Sequence, residues 1–292
     1  IFYFPADFEM VDLVIDKLDF FDMLITYNEY SRAAVLKHRP NYKKKLKVIP
    51  HGIDPNEFYP IENRDEVQEF RQQYFGDNAD KFIILNLNRN QPRKDIPCTI
   101  FGFKEFKKTH PGSLLYLHMN PQDPRGWDLR LVMMQMDLRE GVDFMFPPAD
   151  KENHGHTTEE LNKIYNACDV YVTTTKGEGW GLGVTEAMAC GLPVICPMHT
   201  SFTEIGNHGK RVYALESLYP LCTIDDNIVR EQCDYMEVAE KLAEVCNDLY
   251  DLPDGKGRAS LQKKIEDSLA YVETLHWRGI AEKFAEYFKE TY

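Results

Sequence analysis

Short apolar runs rich in β-formers alternate with longer amphipathic stretches from one end of the 292-residue chain to the other. That alternation is the mark of a parallel sheet covered by helices. The runs at 20–26, 46–49, 82–87, 113–118, 142–146, 170–174 and 193–196 read as strands, and helices fill the gaps. Asp95 stands where it would cap a helix carrying Phe101, Phe103 and Phe106, and Thr157 or Thr158 would cap one running through 161–167. A further helix over 182–189 follows a glycine-rich loop. From Val238 onward the pattern is mostly helical, and it closes with Trp277, Ile280, Phe284 and Phe288 at helical spacing. The fold class expected is α/β, a parallel sheet flanked by helices.

The segment Pro50-His51-Gly52-Ile53-Asp54-Pro55, followed by Tyr59-Pro60, concentrates turn formers between a strand and a new helical region, so a domain boundary is placed there. The opening Ile1-Phe2-Tyr3-Phe4-Pro5 looks like the end of a strand, without an initiator methionine or the charged start of a signal peptide, and reads as the beginning of a fragment. No apolar run approaches the roughly 20 residues that would span a bilayer. The balance of 34 basic against 47 acidic residues, net −13, argues against nucleic acid or anionic lipid as a general partner, so anionic ligands must be caught locally. The basic run Lys43-Lys44-Lys45 is the one place where a peripheral membrane contact would be made, although a solvated loop is the plainer reading. Seven cysteines, an odd number with no CxxC pair, lie mostly in apolar runs and read as reduced core thiols of a cytoplasmic protein.

The strongest chemical signal is Lys176-Gly177-Glu178-Gly179-Trp180-Gly181-Leu182-Gly183-Val184-Thr185-Glu186, directly after the strand at 170–174. Its glycines let backbone approach a ligand, and the helix that starts behind them aims free N–H groups and the positive end of its dipole into the same space. That suits phosphate. The spacing matches no register of G-x-G-x-x-G, which sets a nicotinamide or flavin enzyme aside. Glu178 and Glu186 add two carboxylates that a turning loop can bring toward one ligand, and a carboxylate accepts paired hydrogen bonds from the adjacent hydroxyls of a sugar. The cations come from Asn88-Arg89-Asn90-Gln91-Pro92-Arg93-Lys94-Asp95 at the end of another strand. Arg89 and Lys94 are the chosen pair, able to offset a diphosphate of about −2 without a metal.

These motifs, in this order, resemble the retaining glycosyltransferases of family four, which have the two-domain GT-B fold. The resemblance rests on the hinge-like Ile49-Pro50-His51-Gly52-Ile53-Asp54, the Arg89 and Lys94 pair, the E-x7-E of Glu178 and Glu186 continuing into Ala187-Met188-Ala189-Cys190-Gly191-Leu192-Pro193-Val194-Ile195, and a last helix from near Trp277. It implies three parts: residues 1–50 as the end of an acceptor-side domain, 51–275 as a Rossmann-like donor-binding domain, and 276–292 as a helix packing back toward the first. It further implies that Glu186 binds the nucleotide ribose, that Glu178 meets hydroxyls of the donor sugar, and that the amides of Gly179, Trp180, Gly181 and Leu182 face the donor. Arg89 and Lys94 would neutralise the leaving diphosphate, and the base would lie near Phe146 and Pro147. Transfer in such enzymes retains anomeric configuration, generally without metal or other cofactor.

Two departures from the family stand out. Asp95 occupies a position where glycine is common, which is read as a helix cap, and only about fifty residues precede the hinge, so most of an acceptor domain is missing from the sequence. The expected activity is transfer of a hexose, with mannose from GDP-mannose suggested by the family, to a glycan, lipid or small-molecule acceptor. A nucleotide-sugar epimerase of the same fold and a non-catalytic nucleotide-sugar-binding module are the alternatives. His154-Gly155-His156 has no ligand-spaced partner beyond Glu152, so no metal is expected. The stretch from His199 to Glu204 could equally line the pocket or not.

Overall fold

The computed structural model describes residues 1–8, 15–222, 227–250 and 256–291, leaving aside the side chains of Asn153, His154 and Thr291. Three short strands, β1 (Phe2–Phe4), β2 (Leu24–Thr26) and β3 (Leu46–Val48), form a parallel sheet in that order. A second, wholly parallel sheet holds β4 (Phe82–Leu87), β5 (Ser113–His118), β6 (Phe144–Met145), β7 (Val170–Val172), β8 (Val194–Pro197) and β9 (Tyr213–Leu215). Its order is β6-β5-β4-β7-β8-β9, and β10 (Leu218–Cys222) pairs with β11 (Val229–Cys233) as a separate antiparallel ribbon.

β4 and β5 are buried on both faces for nearly their whole length, which is why their sequences read as unbroken apolar runs. One face is covered by the helices Arg64–Phe75, Thr158–Ala167 and Leu182–Ala189 through Phe75, Ile164, Tyr165, Val184 and Met188. The other face is covered by Ile96–Lys107 and Tyr235–Tyr250 through Ile100, Phe103, Val238 and Leu242. Phe103 and Phe106 are thus core residues. Thr157 caps its helix in a reciprocal capping box with Glu160, its hydroxyl accepting from Glu160 N at 3.2 Å while the Glu160 carboxylate accepts from Thr157 N at 2.7 Å.

Several boundaries depart from the sequence pattern. β2 starts only at Leu24, because Asp16–Phe20 winds into a 3₁₀ turn, and β7 ends at Val172, where Thr173 N makes a last bond to Ile195 O at 3.0 Å and Thr174 and Thr175 turn away as buried polar residues. β6 is cut to Phe144–Met145 by the turn at Gly141, where φ is +77°. Asp95 corrects the expected cap. Its backbone is left-handed (φ 49°, ψ 48°), and its carboxylate makes no bond to the helix but accepts one from Gln232 Nε2 at 2.9 Å. The chain must reverse between the turn Pro92–Lys94 and the next helix, a geometry that Asp tolerates and glycine adopts freely.

The last helix, Trp277–Thr291, lies against the three-stranded sheet, where Ile280 and Tyr287 pack with Met23, Ile25 and Ile49, and the Tyr287 hydroxyl donates to Lys45 O at 2.6 Å. Beside it, Ile53 N donates to Leu275 O at 2.9 Å, so the connections at 49–53 and 275–277 run side by side. Among the described residues no helix is long and apolar enough to cross a membrane, and none of the cysteines is paired.

A largely buried ion pair anchors the helix Arg64–Phe75 to the sheet. Arg71 reaches Asp169 through Nη2 at 2.8 Å and Nη1 at 3.1 Å, with both side chains 12% exposed, and Asp169 also accepts from Ile83 N at 2.7 Å. Removing one partner strands the other charge in the interior, so Asp169→Ala is expected to lower the free energy of unfolding by about 3 kcal/mol in urea titrations. A loss below about 1 kcal/mol would assign the anchoring to apolar contacts instead.

Candidate functional site

The six-stranded sheet reverses its order between β4 and β7, and in such sheets ligands sit beyond the carboxyl ends of the strands at that point. The loop after β4 carries Arg89, Arg93 and Lys94, and the loop after β7 carries Glu178 through Leu182. Between them lies a cleft of about 540 Å³, lined by all of these residues and bordered by His51 and Tyr27 from the hinge side.

Glu178 is its electrostatic centre. Gly177, at φ +153° and with Asp7 O crowding the place a side chain would take, lets the chain turn so that the Glu178 N–H donates to Thr200 Oγ1 at 3.1 Å. The carboxylate, 8% exposed, then meets Lys94 Nζ in a short contact, Arg93 Nη1 at 3.1 Å and the Thr175 hydroxyl at 3.2 Å. Burial works against its ionisation, but Lys94 and Arg93 outweigh it and hold the Glu178 carboxyl below its ordinary value. Arg93 also pairs with Asp7 at 3.2 Å. Gly181, at φ +101° and packed on the Phe202 ring, turns the chain into the helix Leu182–Ala189, leaving Leu182 about half exposed on the cleft wall.

Of the residues expected from the sequence, Arg89, Lys94, Glu178, Gly179, Trp180, Gly181 and Leu182 all line this one cleft. Arg89 and Lys94 do so differently. Lys94 lies inside against Glu178, whereas Arg89 is largely exposed, bound to Asp123 at 2.8 Å, and shared with a neighbouring cavity of about 410 Å³. Pro147 lines that second cavity. Phe146 lines neither: it is buried against Phe144 with the Arg130 guanidinium 5.0 Å from its ring. Glu186 does not line the cleft either. It sits in the second turn of its helix, where Tyr165 donates to it at 2.7 Å; burial raises its carboxyl, the Tyr165 bond opposes the rise, and Glu57 adds to it. Burial above all raises the hydroxyl of Tyr171, whose ring lines the cleft, and the charges of Glu178 and Glu186 add to the rise.

Sequence reasoning passed over Arg93, which binds Glu178, Asp7 and the Gly177 carbonyl, although it stood beside Lys94 in the same loop. Of the stretch from His199 to Glu204, Phe202 lines the cleft, while His199 is buried behind it and Glu204 accepts from Glu29 N at 2.8 Å. Among the described residues no group of three His, Cys, Asp or Glu is placed to hold a metal ion, and the side chain of His154 lies outside them. His156 instead bonds to the Tyr74 hydroxyl at 2.9 Å.

Residues 152–249, which contain the glycine-rich loop and both glutamates, match the family described as glycosyl transferases group 1. That stretch is what the chain shares with the group 1 glycosyltransferases. A probable sucrose-phosphate synthase of Thermosipho melanesiensis is 28% identical over 186 residues, 62% of this chain and 39% of that protein. A mannosylfructose-phosphate synthase of Agrobacterium fabrum is 25% identical over 190 residues, 65% and 40% respectively. The chain therefore spans about two fifths of the length of these curated relatives. Among solved structures, Anabaena HepE in complex with UDP and glucose superposes with a TM-score of 0.71 at 18% identity, over 95% of this chain and 66% of that one. The fold of this chain is the GT-B fold of such neighbours.

The lowered carboxyl of Glu178 makes a pH prediction. Its folded value lies below the ordinary one of about 4.3, so the ionised group stabilises the fold above that pH, and this contribution is lost as pH falls through the lowered value. In urea unfolding, the deficit of Glu178→Gln relative to wild type is expected to be largest near neutrality and to shrink below about pH 4. A deficit that stays constant with pH would mean that shape, not charge, is what Glu178 contributes.

Proposed function

We propose that this chain is the donor-binding part of a glycosyltransferase, which binds a nucleoside-diphosphate sugar in the cleft between the β4 and β7 loops and delivers its hexose, with retained anomeric configuration, to a glycan, lipid or small-molecule acceptor. The observation that carries the reading is the meeting of Arg89, Arg93 and Lys94 with Glu178 and the backbone of residues 179–182 in one cleft. Without a ligand, Lys94 and Arg93 are occupied by Glu178. A diphosphate offers them a second anion, and as the glycosidic bond breaks the growing negative charge on the leaving group is met by groups already in place. In this reading the side-chain cations do the work that a divalent ion does elsewhere, and the sugar hydroxyls take the freed valences of Glu178. Glu186, beside Tyr165, is assigned to the ribose, and Pro147 with the cavity it shares with Arg89 to the base.

Mannose from GDP-mannose is the donor we propose. A matched relative bears the name of a mannosylfructose-phosphate synthase, and the competing uridine reading is favoured by the neighbour crystallised with UDP and glucose. The unpaired thiols fit work in the cytoplasm.

Calorimetric titration with GDP, UDP and ADP and their hexose conjugates separates the readings. One nucleotide series is expected to saturate, and Arg89→Ala and Glu186→Ala are each expected to weaken it by roughly ten- to a hundredfold, the worth of one charge-assisted bond. Equal binding with chelator present supports side-chain neutralisation of the diphosphate. Saturation by none of the three series would overturn the donor site, and release of an epimerised sugar without acceptor would convert the reading to an isomerase.

A further inference from the structure

A chain of polar side chains ends at the second cavity, the one of about 410 Å³ that Pro147 and Arg89 line. His118, the last residue of β5, lines it too. Its Nδ1 is turned to the Tyr116 hydroxyl at 3.0 Å, Tyr116 meets the Tyr74 hydroxyl at 2.6 Å, and Tyr74 meets His156 Nε2 at 2.9 Å. The His156 ring comes back beside His118, with the ring centroids 4.8 Å apart. Among the described residues, His156 Nδ1 is the one buried side-chain nitrogen or oxygen without a hydrogen bond.

Four rings thus share three hydrogen bonds, and their protons can be counted. Burial raises both hydroxyls, Tyr74 to about 12 and Tyr116 well above its ordinary value, so each keeps its proton. Burial lowers both imidazoles, His118 to about 3, so each is neutral and carries one N–H. Neither hydroxyl has another acceptor among the described residues, so the protons must all point the same way along the chain. Either His118 donates from Nδ1 and the last proton rests on His156 Nδ1, or His156 donates from Nε2 and the last proton rests on His118 Nε2.

The unbonded Nδ1 of His156 decides between the two. In the first arrangement it is a buried N–H with no acceptor, in the second a bare lone pair, and a stranded donor is the rarer of the two in folded proteins. The second is therefore favoured: His156 donates to Tyr74, Tyr74 to Tyr116, and Tyr116 to His118 Nδ1. The proton of His118 then sits on Nε2, the nitrogen left to the cavity. Other polar groups of the lining are engaged. Asn90 accepts from Trp127 N at 3.1 Å and donates to Trp127 O at 2.7 Å, Lys151 pairs with Glu160 at 3.0 Å, and Glu152 with Arg130 at 2.7 Å.

We propose that His118 is a specificity-determining residue for the donor: its Nε2–H donates to a ring carbonyl of the nucleobase, and the relay through Tyr116, Tyr74 and His156 keeps it a donor. The inference rests on the reading that puts the base in this cavity. An amino group at the same place on the ring meets a second donor. For His118 to accept from it, every proton of the relay must reverse and strand an N–H on His156 Nδ1, so the buried end of the chain penalises the wrong base at the open end. A pyrimidine and a purine can each supply the carbonyl.

Two measurements on the whole chain test this. In ¹⁵N NMR of the imidazoles, His118 is expected to be protonated at Nε2 and bare at Nδ1. In calorimetry, nucleotides that carry a carbonyl or an amine on the same ring carbon are compared: UDP against CDP, and inosine diphosphate against ADP. The carbonyl member of one pair is expected to bind roughly ten- to a hundredfold tighter, and the pair that separates tells pyrimidine from purine. His118→Phe is expected to bring that pair to parity. Tyr116→Phe keeps His118 but cuts the relay, so it is expected to narrow the preference and to spread the His118 proton over both nitrogens. The wild-type spectrum and the wild-type pairs decide the matter even where a variant fails to fold. A proton on His118 Nδ1, equal binding within both pairs, or a preference that survives either substitution would overturn the inference and leave the donor cleft standing. Saturation by no nucleotide would overturn the donor reading and this inference with it, whatever the tautomer.

Discussion

The carboxylate of Glu178 is held between Lys94 and Arg93, and that junction is what unites the two loops at the turning point of the six-stranded sheet. β4 delivers the cations and β7 the anion, and neither loop could keep its charges so close to the interior without the other. The thread continues outward. Arg93 reaches Asp7 beyond β1, Asp7 reaches Arg230 in the ribbon, and the Glu178 amide reaches Thr200, whose hydroxyl bonds to His199 Nδ1. One buried charge thus orders backbone from four separate parts of the chain.

Much of this was legible in the sequence, for physical reasons that differ by element. β4 and β5 fall where the apolar runs fall because a parallel strand covered on both faces has no polar side to interrupt it. The helix Leu182–Ala189 is announced by the glycines before it. β9, β10 and β11 were not legible: β9 is three residues at the sheet edge, and β10 carries Pro220 in a half-exposed ribbon, so neither shows a clean period.

The site was legible to a different depth. Residue type and strand position were enough to gather seven residues into the cleft, because loops at one end of a parallel sheet converge. Side-chain direction was not. Glu186 turns to Tyr165, Phe146 turns into the core, and Arg93, one residue from the lysine that was chosen, takes a share of Glu178. Asp95 reads as a cap by residue type, yet its backbone lies in the left-handed region and its carboxylate serves another segment altogether. Such choices depend on neighbours far along the chain, which a local pattern does not contain.

The chain passes between its two parallel sheets twice, and the two passages touch: Ile53 bonds to Leu275 and bridges His276, with the Trp277 ring lying on Gly52. Two covalent threads laid side by side act as the pins of a door. They permit swing about one line and resist sliding or pulling apart. The contacts far from that line, Asn28 Nδ2 on Gly179 O at 2.6 Å and Glu204 on Glu29 N, work as its latch. Because the latch fastens onto the glycine-rich loop itself, whatever fills the cleft and shifts that loop also bears on how far the door stands open.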